Sequence, residues 1–110
     1  MQLSFLFNGS DLRKEFYDTV IPAFSAQREK IVTICKKNPE LADVKVILLS
    51  DLMESIVCKK VATVMKESAK ELNSDMIRKE VSYYISKELM RRGVGHKIPL
   101  IVAESQKMTK

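Results

Sequence analysis

The sequence is poor in the residues that interrupt regular secondary structure. Its 110 residues include three glycines, three prolines and no tryptophan. Because glycine and proline are the usual residues of turns and breaks, a chain with so few of them favours a small number of long elements, most often helices. Apolar runs are also short, and no basic segment precedes the first of them. We therefore expect no signal peptide, no membrane span and a cytoplasmic location.

Residues that carry reactive chemistry are equally scarce. His96 is the only histidine, and the two cysteines are Cys35 and Cys58. Their separation fits neither a CxxC redox motif nor a zinc site, and a lone histidine provides neither a metal cluster nor an obvious base for a nucleophile. Unpaired cysteines of this kind are typical of a reduced, intracellular protein. We expect no catalytic residue, no metal and no cofactor, and hence a protein that acts by binding and is not an enzyme.

The length and composition are those of an ordinary globular chain. Of the residues, 45% are hydrophobic and 30% are charged, which suits one domain with one core. We predict a single helical domain over residues 1–110, with residues 105–110 as a frayed tail. The fold class is mainly α, a compact bundle of four to five helices, with short β-strands near the N- and C-termini as an open alternative.

The two chain ends are the source of that alternative. Residues 3–7 alternate in the period-two pattern of a strand, or else they extend a first helix that otherwise begins at Leu12. Pro22 is expected to kink or break that helix, because it lacks an amide donor and clashes with the preceding turn. Residues 98–102 form a short apolar run, and Pro99 would restrict it to an edge strand.

The middle of the chain contains one ambiguous segment. Asn38-Pro39-Glu40 predicts a helix start, with a cap residue, a proline in the first turn and an acid beside it. Residues 44–49 are rich in β-branched side chains, yet their apolar positions also fit a helical face. We predict a short helix here through about Ile47, with a buried strand as the alternative.

Asp51 to Gly93 is predicted as a pair of helices hinged at Asn73-Ser74-Asp75. The first has an apolar stripe wide enough for a central core helix: Leu52, Met53, Ile56, Val57, Val61, Val64, Met65 and Leu72. The second has a narrower apolar face: Ile77, Val81, Tyr84, Ile85 and Leu89. It ends at Gly93, behind two arginines that suit a helix C-terminus.

The positive charge is concentrated at the C-terminal end. Residues 1–75 carry 11 Lys/Arg and 11 Asp/Glu, whereas residues 76–110 carry 8 and 3, so the net charge of +5 arises there. Lys79, Tyr83, Lys87 and Arg91 recur at steps of four and share one helix face. Cations neutralise phosphates, and a tyrosine ring can lie against a sugar or base. Together with Arg92 and Lys97, these residues are the predicted nucleic-acid-binding set: Lys79, Tyr83, Lys87, Arg91, Arg92 and Lys97.

The favoured function is a nucleic-acid-associated regulator that contacts phosphates through this basic helix and tail. The alternative is a protein-protein adaptor or inhibitor that binds an acidic partner surface. The hinge resembles a helix-turn-helix only loosely, because its turn lacks glycine, and we interpret it as an ordinary interhelical turn. The Gly93-Val94-Gly95-His96-Lys97 stretch lacks the GKS or GKT ending of a phosphate loop and is interpreted as a helix stop. If Met76 and Met90 project with Tyr83 from one side of the helix, a homodimer is expected.

Overall fold

The computed structural model describes the backbone of residues 2–68 and 74–108 and the side chains of residues 18–67 and 75–107. Five α-helices follow one another: α1 (Gln2–Lys37), α2 (Ala42–Leu48), α3 (Asp51–Ser68), α4 (Ser74–Arg91) and α5 (Ile98–Met108). Single 3-10 turns lie at Pro39–Leu41 and Gly95–Lys97. The predicted helical bundle is confirmed, and no strand occurs in the described part of the chain.

Helix α1 is longer than the sequence pattern predicted. It runs for 36 residues from Gln2, so the strand at residues 3–7 and the helix start at Leu12 are both wrong. The alternative, an extended first helix, is what the structure shows. A spacing of four residues between Leu3 and Phe7 suits a helix as well as a strand, and a single unpaired strand has no ladder to stabilise it.

Pro22 lies inside α1 without breaking it. The proline is exposed, so water can reach the carbonyl that its missing amide leaves without a partner. On either side, Val20 and Phe24 are completely buried. Their burial is worth roughly 1.5–3 kcal/mol each, comparable to the cost of an interior proline, and it holds the helix against the core through this position.

The ambiguous segment at residues 44–49 is helical through Leu48, and Leu49 lies in the following turn. Val44 and Leu48, four residues apart, are completely buried, whereas Val46 is 71% exposed. Helix α2 therefore buries one face and the strand alternative is wrong here. Asn38 precedes the 3-10 turn Pro39–Leu41 and makes no side-chain capping hydrogen bond to it. Instead its Nδ2 donates a hydrogen bond to the Ile34 carbonyl at the end of α1, at 2.9 Å.

Helix α3 is the central core helix, as predicted. Met53, Val57, Val61 and Met65 are at most 2% exposed, and the helix packs against both α1 and α4. Its apolar stripe is narrower than expected, because Leu52 is 56% exposed at the start of the helix. The predicted Leu72 lies outside the described residues.

Helix α4 begins at Ser74 and buries the predicted face, with Ile77, Val81, Ile85 and Leu89 in the core. Its end is a Schellman motif. The Gly93 amide donates to the Met90 carbonyl at 3.1 Å, and the Val94 amide donates to the Leu89 carbonyl at 3.0 Å. Gly93 has a φ of +87°, which only glycine adopts without strain. The predicted helix stop is confirmed.

The C-terminal segment is helix α5, and the strand at residues 98–102 is wrong. Pro99 occupies the first turn of the helix, where its missing amide would have had no helical partner in any case. Ile101 is buried in the common core. Residues 105–108, predicted as a frayed tail, continue this helix, and 109–110 lie outside the described residues.

The buried apolar side chains of all five helices form one cluster. The long axis of the molecule, 55 Å, equals the length expected of α1 at 1.5 Å per residue, so α1 acts as the axis on which the shorter helices pack. Within the described residues, no helix has the length and apolar character needed to span a membrane.

Candidate ligand-binding groove

The exposed face of α4 carries three of the six predicted nucleic-acid-binding residues together. Lys79, Tyr83 and Lys87, which we call the α4 stripe, lie on the solvent side of the helix. Tyr83 is 53% exposed, and the Lys87 Nζ lies 5.3 Å from its ring centroid. The rings of Tyr83 and Tyr84 form an edge-type pair, with 5.1 Å between their centroids and 79° between their planes. The Tyr83 ring is therefore oriented by two neighbours while much of it stays accessible.

Arg91 and Arg92 are held by an acid that the sequence analysis had not singled out. Glu88 is 2% exposed, and Arg91 donates to it from Nε at 3.1 Å and from Nη2 at 2.7 Å. Arg92 adds a bond from Nε at 3.2 Å. These hydrogen bonds lower the pKa of the Glu88 carboxyl, and those from Arg91 contribute most. Burial of the carboxyl acts in the opposite direction and raises its pKa. The carboxylate neutralises one of the two cations.

The two arginines differ in how much of the guanidinium faces solvent. The Arg91 side chain is 64% exposed, whereas Arg92 is 26% exposed. Arg91 lies on the same side of α4 as Lys87, one turn further on, so it can offer its outer edge to an anion. Arg92, with its Nε on the buried Glu88 carboxylate, is the less accessible of the two.

Lys97 does not lie with the α4 stripe. Its Nζ contacts both carboxylate oxygens of Asp43, at 2.9 and 2.8 Å, and the Glu40 carbonyl at 2.8 Å. The hydrogen bond from Lys97 is the main reason that the pKa of Asp43 is lowered. Lys97 thus ties the turn before α5 to the start of α2, across more than fifty residues of sequence.

A groove of about 520 Å³ runs beside the stripe, between α1 and α4. We call this the basic end of the α1–α4 groove, and its lining residues are Gln27, Lys30, Asp75, Arg78, Lys79, Ser82, Tyr83 and Ser86. Asp75 and Arg78 form an ion pair at 2.7 Å with both side chains well exposed. Exposed pairs of this kind contribute little and exchange easily with water or ligands. The groove therefore presents cations from both walls.

The groove continues into an apolar end of about 200 Å³ that α5 completes. Four residues line both ends and so connect them: Gln27, Lys30, Ser82 and Ser86. Most of its other lining residues are aliphatic: Ile31, Ile34, Ile85, Leu89, Ile98, Ile101 and Val102. Ser105 and Gln106 complete the lining. Val102 is 49% exposed. The structure thus shows one open groove that is basic at one end and apolar at the other.

Sequence reasoning missed Lys30, Arg78 and the apolar end of the groove. Lys30 is on α1, far in sequence from the stripe, and only the packing of α1 against α4 brings it there. Arg78 precedes Lys79 directly, but the step-of-four pattern selected a different face of the helix. The apolar end needed the correct assignment of residues 98–108 as a helix.

The two cysteines and the histidine do not line the groove. Cys35 and Cys58 are buried, and burial raises the pKa of both thiols, that of Cys58 to about 12. Both stay protonated at neutral pH. His96 is exposed on the turn before α5. No group of three or more metal-ligating side chains occurs among the described residues.

Backbone conformation explains one glycine of this turn and packing explains the other. Gly93 ends α4 in a left-handed conformation, and Gly95 lies against Met90, where a Cβ would come within 2.8 Å of the Met90 Cγ. Both glycines are thus needed to reverse the chain between α4 and α5.

No protein-family model matches this chain, and neither the curated proteins nor the solved structures give a match.

Proposed function

We propose that this protein is a protein-protein adaptor or inhibitor whose groove between α1 and α4 binds an acidic surface of a partner protein. The observation that carries the proposal is the combination of a basic end and an apolar end in one continuous groove. A protein partner can satisfy both ends, because protein surfaces present carboxylates and apolar side chains side by side.

The charges of the basic end support a partner of opposite sign. Among the described residues, Lys30 and Lys79 form no ion pair, and the Lys87 Nζ lies over the Tyr83 ring. Asp75 is the one described acid that lines this end, and Arg78 already neutralises it. An acidic partner would gain long-range attraction during approach and charge-assisted hydrogen bonds once bound.

The test is affinity purification of the full chain from its native host after nuclease treatment. We expect one stoichiometric partner with an acidic contact surface, which is lost when Lys30 and Lys79 are both changed to glutamate. The matched control carries the same change at Lys59 and Lys66, exposed residues of α3 outside the groove. Equal recovery of the partner by the groove double variant would contradict the proposal.

The second candidate function is a nucleic-acid-associated regulatory protein, and the α4 stripe favours it. A half-exposed tyrosine between two lysines is suited to stack a base while the lysines contact phosphates. With Lys79, Lys87, Lys30 and Arg91 available, about three to four phosphates could be contacted. For a single strand, log affinity should then fall with log salt at a slope of about −2 to −3.

A fluorescently labelled single strand of mixed sequence, titrated at several salt concentrations, tests this candidate. Tyr83→Ala should weaken binding if the base stacks, since stacking contributes roughly 1–3 kcal/mol per base. Absence of binding at low salt would exclude this candidate.

Tyr83 and Met90 are exposed on one side of α4, at 53% and 59%. Self-association through this face therefore stays a proposal, and sedimentation measurements would test it.

A further inference from the structure

We propose that the α1–α4 groove binds one amphipathic α-helix of its partner, with apolar side chains over the apolar end and acidic side chains over the basic end. This inference rests on the proposed function, an acidic protein partner, and specifies the shape of the bound segment and the direction in which it lies.

The dimensions of the groove fit a helix of about four turns. Its α4 wall extends from Asp75 to Leu89, which is about 21 Å at 1.5 Å per residue. A helix of about 14 residues has this length and presents anchors at i, i+3 or i+4, and i+7, the spacing with which helices bind in grooves.

The apolar end has room for a few apolar side chains of a partner. Its volume is about 200 Å³. Ile98 and Val102 stand four residues apart on α5, so they lie on one helix face. Leucine-sized anchors from a partner would fill this end and cover Val102.

The charges favour one placement of the bound helix along the groove. Lys79 lines only the basic end, as do the paired Asp75 and Arg78, whereas Lys30 lines both ends, and no acidic side chain among the described residues lines the apolar end. A partner helix gains most when its carboxylates lie together over the basic end and its apolar anchors over the other. A nucleic acid strand carries phosphates along its whole length, and those over the aliphatic side chains would face few cations.

The experiment uses the full chain and three fluorescein-labelled synthetic peptides of 14 residues. The first is a leucine-glutamate peptide with leucines at helical spacing and its glutamates mainly in one half. The second is a scrambled peptide of the same composition, and the third replaces glutamate by lysine. Fluorescence anisotropy should show binding of the first peptide at least about tenfold tighter than of the other two, a difference of about 1.4 kcal/mol.

Single substitutions locate the two halves of the bound peptide. Val102→Asp and Lys79→Glu should each weaken binding of the first peptide about tenfold or more. Val46→Asp and Lys59→Glu place the same changes on exposed residues outside the groove and should leave the affinity within about twofold. Circular dichroism verifies that each variant keeps its helix content.

The outcomes distinguish a failure of the helix proposal from a failure of the proposed adaptor function. Equal binding of the ordered and scrambled acidic peptides overturns the amphipathic helix and leaves an acidic partner in place. Equal losses in the groove variants and their controls overturn the groove as the site. If neither acidic peptide binds while a single-stranded DNA of 12 nucleotides does, both the inference and the adaptor function fail, and the nucleic-acid candidate takes their place.

Discussion

Replacing Glu88 with glutamine should destabilise the fold in a way that depends on pH. Glutamine keeps the shape of the buried side chain but removes its charge, and its amide group would face guanidinium donors. Three hydrogen bonds from Arg91 and Arg92 converge on this carboxylate. Hydrogen bonds to charged groups contribute about 1.5–3 kcal/mol when buried, but the Arg91 side chain is 64% exposed, so water screens its share. We expect a loss of about 2 kcal/mol at pH 7.

The sign of the pH dependence follows from the lowered pKa of Glu88. A carboxyl group whose pKa is lower in the folded state contributes stability above its unfolded pKa, and that contribution is lost as pH falls through the folded pKa. The difference between wild type and Glu88→Gln should therefore be full at pH 7 and should shrink below about pH 4.5, the ordinary value for this group.

Urea denaturation of both proteins between pH 7 and pH 3, followed by circular dichroism, measures this difference. Asp43→Asn is the matched control for charge removal, because the pKa of Asp43 is also lowered but the residue is half exposed. Its effect should be smaller at pH 7. A difference for Glu88→Gln that is zero at pH 7, or that stays constant into acid, would refute the reasoning.

Three further variants test the packing and the turns. A Cβ added at Gly93 would meet no atom within 4 Å, but the residue has a φ of +87°. Gly93→Ala should therefore lower the free energy of unfolding, measured with urea, by about 1–2 kcal/mol through backbone strain alone. An unchanged midpoint would contradict the left-handed turn. Met65→Ala should lower the free energy of unfolding by about 2–5 kcal/mol, because the side chain is 2% exposed on α3 and its removal leaves a cavity. A loss below about 1 kcal/mol would show that this part of the core is loosely packed. Lys97→Met removes the contacts with Asp43 and the Glu40 carbonyl. It should lower the melting temperature at pH 7, and much less in acid, where Asp43 is protonated. An equal shift at both pH values would indicate a packing effect in place of a charge effect.

The parts of the fold that sequence predicted correctly are those decided by local periodicity. The stripe of α3 and the buried face of α4 repeat at helical spacing over several turns, and Gly93 follows two cations at the helix end. The errors lie where a short pattern suits two structures. Residues 3–7 and 98–102 each offer only a few residues of apolar alternation. An isolated strand is not stable, and the described part of the chain contains no strand with which either segment could pair.

The candidate site was less predictable, because charge pairing is only partly local. The contacts of Arg91 and Arg92 with Glu88 span three and four residues, a spacing at which side chains on a helix meet, so the sequence already held the signal that these arginines are engaged. The contact of Lys97 with Asp43 joins distant parts of the chain and had no such signal. The same is true of Lys30, which only the packing of α1 places beside α4.

The net charge of the C-terminal third thus overstates the number of cations that a ligand can contact directly. Lys97 and Arg92 are held by acids of the same chain, and Arg91 shares Glu88 with Arg92. Lys79 and Lys87, together with Lys30 from α1, keep their charges available at the surface. Paired cations still contribute to the long-range field that speeds the approach of an anionic partner. Direct ion pairs with the bound ligand, however, must form with Lys30, Lys79 and Lys87. For that reason charge reversal at Lys79 should slow association and also speed dissociation of an acidic ligand, whereas reversal at Arg92 should act mainly through the stability of the helix end.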